Sequence, residues 1–156
     1  MRVLAIDPGF GRCGFAVVDR VNGKEKWINS MCVETSSKLD FYARLAGVAN
    51  ECSRLITEFK PDTIALEKLF VSNNQKTAMN VAEVRGALIY VAHEAGLPIY
   101  EYTPMQVKAA VTGWGGSDKT AVSRLLHALL KIDKKVLLDD EYDAIGIAVT
   151  HLASVR

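Results

Sequence analysis

Four acidic side chains in this 156-residue sequence stand where the chain would present a carboxylate at the edge of an element. Asp7 ends an apolar run just before Pro8-Gly9, and Glu67 ends the apolar run Thr63-Ile64-Ala65-Leu66. Asp140 and Asp143 lie three residues apart near the start of the last helical stretch, on one helix face. In an open α/β sheet, ligands collect beyond the carboxyl ends of the strands, so acids at strand ends are placed to meet one. Four carboxylates sharing a cleft would repel and raise one another's pKa values unless cations hold them. Divalent metal answers that: hard oxygen ligands suit Mg²⁺ or Mn²⁺, which keep waters and phosphate oxygens in their shells. Two such ions about 4 Å apart would clamp an in-line displacement at phosphorus.

Each acid also has a plainer use. Asp7 before Pro-Gly suits a turn, Glu67 beside Lys68 suits a solvated strand end, and Asp139, Asp140 and Glu141 suit a helix N-terminus. Spacing does not choose within that last group, because Asp139 pairs with Asp143 at i,i+4 just as Asp140 does at i,i+3.

The elements that must position these acids are legible in the periodicity. Residues 2–7, 13–21 and about 26–34 read as strands, with turn chemistry at Pro8-Gly9 and Asn22-Gly23, and form an antiparallel meander. Between residues 38 and 59, Leu45, Val48, Cys52, Leu55, Ile56 and Phe59 recur at steps of three and four, which predicts an amphipathic helix. A buried strand at 63–66 runs into Glu67, a polar loop covers 72–76, and a mostly apolar helix spans 77–95 before Gly96-Leu97-Pro98. A strand at 99–102 follows. Thr103 and Pro104 then open a helix as N-cap and first helical residue. Gly113-Trp114-Gly115-Gly116 breaks it, Ser117 or Asp118 caps another through Leu130, and the last helix begins near Asp139. The order predicts an α/β fold with a mixed five-stranded sheet, its first three strands antiparallel and the rest added by helical crossovers. If the first strand and the 63–66 strand are parallel neighbours, Asp7 and Glu67 lie side by side.

The chain has the length of one domain, 1–156, able to bury roughly two-thirds of its unfolded surface. Charge is nearly balanced, 19 Lys and Arg against 18 Asp and Glu, so the total points to no class of partner. Residues 104–135, however, hold Lys108, Lys119, Arg124, Lys131, Lys134 and Lys135 against Asp118 and Asp133, a stretch suited to phosphates. Cys13, Cys32 and Cys52 are odd in number and form no C-x-x-C pair, which fits buried thiols in a reducing compartment. No run of 18 apolar residues occurs and Met1-Arg2 leads straight into a strand, so a cytoplasmic protein is expected.

Five ordered blocks carry a resemblance over essentially the whole chain: AIDPG at 5–9, ALEKLF at 65–70, VRGALI at 84–89, YTPMQVKAAVTGWGGSDK at 102–119 and DEYDAIGIAVTH at 140–151. Together they resemble the RuvC family of crossover (Holliday) junction endodeoxyribonucleases. The resemblance implies an RNase H-like fold, a homodimer, and Mg²⁺-dependent paired nicking of a four-way DNA junction in recombination and repair. It implies two Mg²⁺ ions per site, with Mn²⁺ substituting, and association with the RuvA-RuvB branch-migration complex. By matching motif, Asp7, Glu67, Asp140 and Asp143 become the metal-binding catalytic acids, and the D-x-x-D-A pattern selects Asp140 over Asp139. Lys108 and Lys119 take the places of family lysines near the scissile phosphate, where a fixed cation would stabilise developing charge. Phe70 matches an aromatic used near the crossover, and Arg12 and Lys76 join it, Lys108 and Lys119 as expected DNA contacts. The small residues Ala78, Ala82 and Gly86 recur every four residues on the helix that carries the family's dimer contact.

The chain departs from the family at Phe10 and Cys13, where Ser or Thr are common, and at Ala121, where Gln is frequent. These changes touch expected phosphate contacts and spare the acids. A related RNA nuclease of the YqgF type would share the early Asp but lacks the YTPMQVK block and the long acidic final helix. An actin-like ATPase or sugar kinase would need two such domains. A non-catalytic junction-binding module would not need all four acids and both lysines.

Overall fold

The computed structural model describes residues 1–68, 75–133 and 138–155, with the backbone alone for 75 and 76. Elements follow in the order β1 (Arg2–Asp7), β2 (Arg12–Val21), β3 (Lys24–Glu34), α1 (Phe41–Phe59), β4 (Thr63–Glu67), α2 (Gln75–Glu94), β5 (Ile99–Tyr102), α3 (Pro104–Thr112), α4 (Lys119–Leu130) and α5 (Asp139–Ser154). The sheet order is β3-β2-β1-β4-β5, with β1, β2 and β3 antiparallel and β4 and β5 parallel to β1. This is the mixed five-stranded sheet predicted above. Its crossovers run through helices because parallel neighbours cannot be joined by a hairpin. No helix among the described residues is long and apolar enough to cross a membrane.

The period of two in β1 sends its side chains into two different cores. Leu4 and Ile6 join Phe15, Ile64 and Leu66 against α1 and α2, through Val48, Leu55, Val84 and Leu88. Val3 and Ala5 join Ala16, Val18 and Ala65 against α3, α4 and α5. The second face is lined by smaller side chains, so α5 can lie close on the sheet. Residues Ala144, Ile145, Ile147, Ala148 and Leu152 of α5 are fully buried there.

Local chemistry explains where the elements differ from the sequence-based boundaries. Helix α1 starts at Phe41 rather than at 38, because the Asp40 carboxylate accepts the Ala43 N–H at 2.8 Å and fixes the cap there. Strand β3 reaches back to Lys24, because Asn22 and Gly23 both take positive φ, 52° and 75°, and form a two-residue turn that leaves no slack. Helix α2 begins two residues earlier than predicted, at Gln75. Asp118, rather than Ser117, caps α4 by accepting the Ala121 N–H at 2.7 Å. Thr103 and Gln106 form the reciprocal capping box at the start of α3.

Candidate active site

Strand pairing carries the first two acids to one place. In the parallel β1–β4 register Ile6 faces Leu66, so the next residues, Asp7 and Glu67, end adjacent strands on the same edge of the sheet. Across the antiparallel pair Asp7 faces Gly14 of β2. The first turn of α5 rests on that glycine: a Cβ at Gly14 would lie 1.9 Å from the Asp140 carbonyl oxygen. Glycine inside a strand marks such a close backbone approach. Gly14 thus brings the acids of α5 to the edge that Asp7 and Glu67 occupy, and it is a positioning residue that the motif reading missed. The isolated glycine within the otherwise apolar run Cys13-Gly14-Phe15 was the available signal.

Helix periodicity then sorts the four acids of α5. Asp139 points outward, its side chain 74% exposed, with Lys119 Nζ 3.9 Å away. Asp140 and Asp143 turn toward the sheet edge, 18% and 34% exposed. Glu141 turns the other way and is buried, its Oε2 accepting a 2.9 Å hydrogen bond from the Ser30 hydroxyl of β3.

The cluster is short of counter-charge. Lys119 Nζ donates to Asp143 Oδ2 at 3.0 Å, and this contact raises the lysine's pKa. Arg12 Nε stands 3.2 Å from Asp140 Oδ2, too poorly aligned for a hydrogen bond, so this buried oxygen has no hydrogen-bond partner among the described residues. Burial, and then the carboxylates of Glu67, Asp143 and Asp140, push Asp7 up to about 8, with Lys119 opposing them. Burial and then Asp143 push Glu67 up to about 7. Partly desolvated carboxylates whose charges resist one another are hard-oxygen donors in want of a cation. The buried Asp140 oxygen, held by an ion pair to Arg12 but by no hydrogen bond among the described residues, fits the same demand. Among the described residues, though, no three acid, His or Cys side chains are grouped closely enough to hold a metal ion as they stand.

A cleft of about 340 Å³ opens beside these acids between α3, α4 and α5, lined by Glu67, Lys108, Lys119, Asp139, Tyr142 and Asp143 among others. Both sequence-selected lysines face it. Asp7, at the end of β1, and Asp140, in the first turn of α5, do not line it. Tyr142, which sequence reasoning passed over, reaches His127 of α4 with its hydroxyl 2.7 Å from Nε2 and ties α4 to α5 across one wall.

The remaining expectations divide. Phe70 and the Lys76 side chain lie outside the described residues, as do Lys134 and Lys135 of the basic stretch. On α2, Val84, Leu88 and Ala92 turn inward, whereas Ala82 and Gly86 are exposed and Ala78 is half-buried. A Cβ at Gly86 would meet nothing within 4 Å, so this ridge does not serve packing on the chain's own sheet.

The family model for "Crossover junction endodeoxyribonuclease RuvC" matches residues 3–151. A curated protein of that name from Caldicellulosiruptor saccharolyticus is 41% identical over 155 residues, covering 99% of this chain and 93% of its own length. One from Brevibacillus brevis is 40% identical over 151 residues, covering 97% and 91%. Among solved structures, Thermus thermophilus RuvC in complex with a Holliday junction substrate superposes with a TM-score of 0.90 at 31% identity, over 97% of this chain and 92% of that one. The yeast mitochondrial Holliday junction resolvase Ydc2 shares the fold, with a TM-score of 0.72 at 16% identity.

Proposed function

This chain belongs to the RuvC family of crossover junction endodeoxyribonucleases, and we propose that it resolves four-way DNA junctions by paired, symmetric, Mg²⁺-dependent nicks. One observation carries the reading above all: the β1–β4 register that ends adjacent strands in Asp7 and Glu67, facing the acids of α5. Asp7, Glu67, Asp140 and Asp143 would hold two Mg²⁺ ions, or Mn²⁺ in their place. When bound, the metal supplies an activated water and neutralises charge on the departing oxygen.

The chain's own residues do the rest. Gly14 lets α5 come down far enough for Asp140 and Asp143 to face Asp7. Lys119 holds Asp143 and faces the cleft, and Lys108 lies on the same cleft, so a scissile phosphate there meets two fixed cations. Arg12 balances Asp140 and stands at the rim, where a DNA backbone would draw it. Phe70 keeps its expected DNA contact on the strength of the family motif, and Lys76 keeps its own as a cation of the neighbouring polar stretch. A two-fold dimer through the exposed Ala82 and Gly86 ridge of α2, with Ala78, would set two such clusters against two strands and account for paired cuts. The same reading makes the protein a cytoplasmic partner of the RuvA-RuvB branch-migration complex in recombination and repair.

The test is cleavage of synthetic four-way junctions by purified protein with Mg²⁺ or Mn²⁺. Symmetric nicks are expected, and Asp7→Asn should slow them by about 10³-fold or more while junction binding persists. Junctions of many sequences left uncut by the wild-type protein would sink the nuclease reading. A monomer by light scattering at micromolar concentration would remove the paired-nick geometry.

A further inference from the structure

The loop between α3 and α4 presents the most exposed tryptophan of the described chain, next to the cleft. Trp114 is 69% exposed and Met105, at the start of α3, is 70% exposed. The loop is built to hold them up. Gly113 ends α3 in the left-handed region at φ 81°, its N–H bonded to the Ala109 carbonyl at 2.8 Å. The Trp114 N–H donates to Thr112 Oγ1 at 3.2 Å, and the Trp114 carbonyl accepts from Ser117 Oγ at 3.0 Å and from the Ser117 N–H at 3.3 Å. Both backbone groups of Trp114 are therefore pinned.

The two following glycines are needed for the apolar surface itself. A Cβ at Gly116 would lie 2.5 Å from the Trp114 ring, and one at Gly115 would lie 2.8 Å from Met105 Cγ. The indole thus lies against Gly116 and the Met105 side chain against Gly115, so both apolar groups rest on one short stretch of glycine backbone. Leaving a large aromatic in water is unfavourable and in a pinned loop it gains no freedom by doing so, which points to an occupant.

Continuity with the cleft indicates the occupant. The loop joins Lys108 on α3 to Lys119 on α4, and both lysines face the cleft. The one acid of the loop, Asp118, spends its carboxylate on the α4 cap. A rigid aromatic between two phosphate-seeking cations has the composition of a nucleic-acid platform, where rings stack on bases or sugars while lysines track the backbone.

We infer that Trp114, backed by Met105, is a substrate-positioning platform on which a base or deoxyribose next to the cleaved phosphate of the junction rests. This inference depends on the nuclease reading above, and the experiment separates the two. Junction binding without metal and single-turnover cleavage with metal are measured for wild type, Trp114→Ala and Trp114→Phe. If wild type does not cut, the function is wrong. If wild type cuts, Trp114→Ala should bind the junction about 10-fold more weakly, with its cleavage rate at saturating protein within about threefold, and Trp114→Phe should recover most of the affinity. In a Trp27→Phe background, where Trp114 is the sole indole, saturating junction should quench and shift its emission. Unchanged affinity in Trp114→Ala overturns the inference, whatever happens to the rate, and so does emission that ignores the junction.

Discussion

Helix α5 bears ionisable side chains at both ends, and the two ends treat them in opposite ways. In its first turns Asp140 and Asp143 crowd Asp7 and Glu67, one buried oxygen of Asp140 has no hydrogen-bond partner among the described residues, and Asp7 is pushed up to about 8. In its last turns His151 is fully buried yet satisfied at both ring nitrogens, with Thr63 Oγ1 2.9 Å from Nε2 and the Tyr102 hydroxyl 2.9 Å from Nδ1. Tyr100 covers the ring at a centroid distance of 4.7 Å. Both ends put ionisable groups out of water at the same helix–sheet interface. What separates them is completeness. A buried polar cluster with every partner in place is part of the fold, and one left short of counter-charge is waiting for a ligand.

The contrast can be broken at either end. The largest effect belongs to Asp7→Asn: cleavage should collapse by about 10³-fold or more, while thermal unfolding without metal at neutral pH shows a fold about as stable as wild type, since a carboxyl pushed up to about 8 is mostly neutral there and an amide of the same shape replaces it. Mg²⁺ should raise the wild-type Tm and leave that of Asp7→Asn nearly unmoved; equal shifts would detach the acids from the metal. Gly14→Ala comes next, because its new methyl would meet the Asp140 backbone, which has nowhere to yield. A loss of about 3 kcal/mol in chemical denaturation is expected, with cleavage down at least 10-fold under conditions where the protein stays folded.

At the other end, His151→Ala should cost about 3 kcal/mol through the cavity and two stranded hydroxyls, yet leave the cleavage rate per folded molecule unchanged. The pH dependence of that cost has a definite sign. Burial lowers the His151 pKa below 6.5, so the unfolded chain takes up the proton first. The stability that neutral His151 contributes is full above pH about 6.5 and shrinks as pH falls toward the lowered value. The gap in stability between wild type and His151→Gln should therefore narrow from pH 7 to pH 5, and a constant gap would mean that His151 takes up its proton equally in the folded and unfolded chain. The smallest effect on stability is Asp139→Ala, expected within about 0.5 kcal/mol, because its carboxylate is out in solvent.

Much of this contrast was legible before any coordinates. The alternation in β1, the Asn22-Gly23 turn and the three-four spacing of α1 are local patterns with local causes, and they gave the order of elements and the sheet. The two strand-end acids were visible for the same reason. His151 could not be read this way, since its partners Thr63 and Tyr102 stand on β4 and β5, 88 and 49 residues away in sequence. Gly14 was likewise a lone letter in a strand until α5 was seen resting on it. Two helix starts differ from the pattern: α1 begins three residues later, where the Asp40 cap overrides the periodicity that suggests Lys38, and α2 begins two residues earlier, whereas α3, α4 and α5 begin where their cap and turn residues place them.

What the sequence determined by itself, then, was the set of acids, the elements that end in them and, through five ordered motifs, the family. Local propensity and side-chain type suffice for that. What only the tertiary structure decided was the company each acid keeps. Asp139, Asp140, Glu141 and Asp143 are near neighbours in one helix, yet one faces water, two face Asp7 and one is buried under Ser30. The rotation of α5 about its own axis makes that choice. That rotation is set by small side chains on one sheet face and by the missing Cβ of Gly14, which no spacing within the helix encodes.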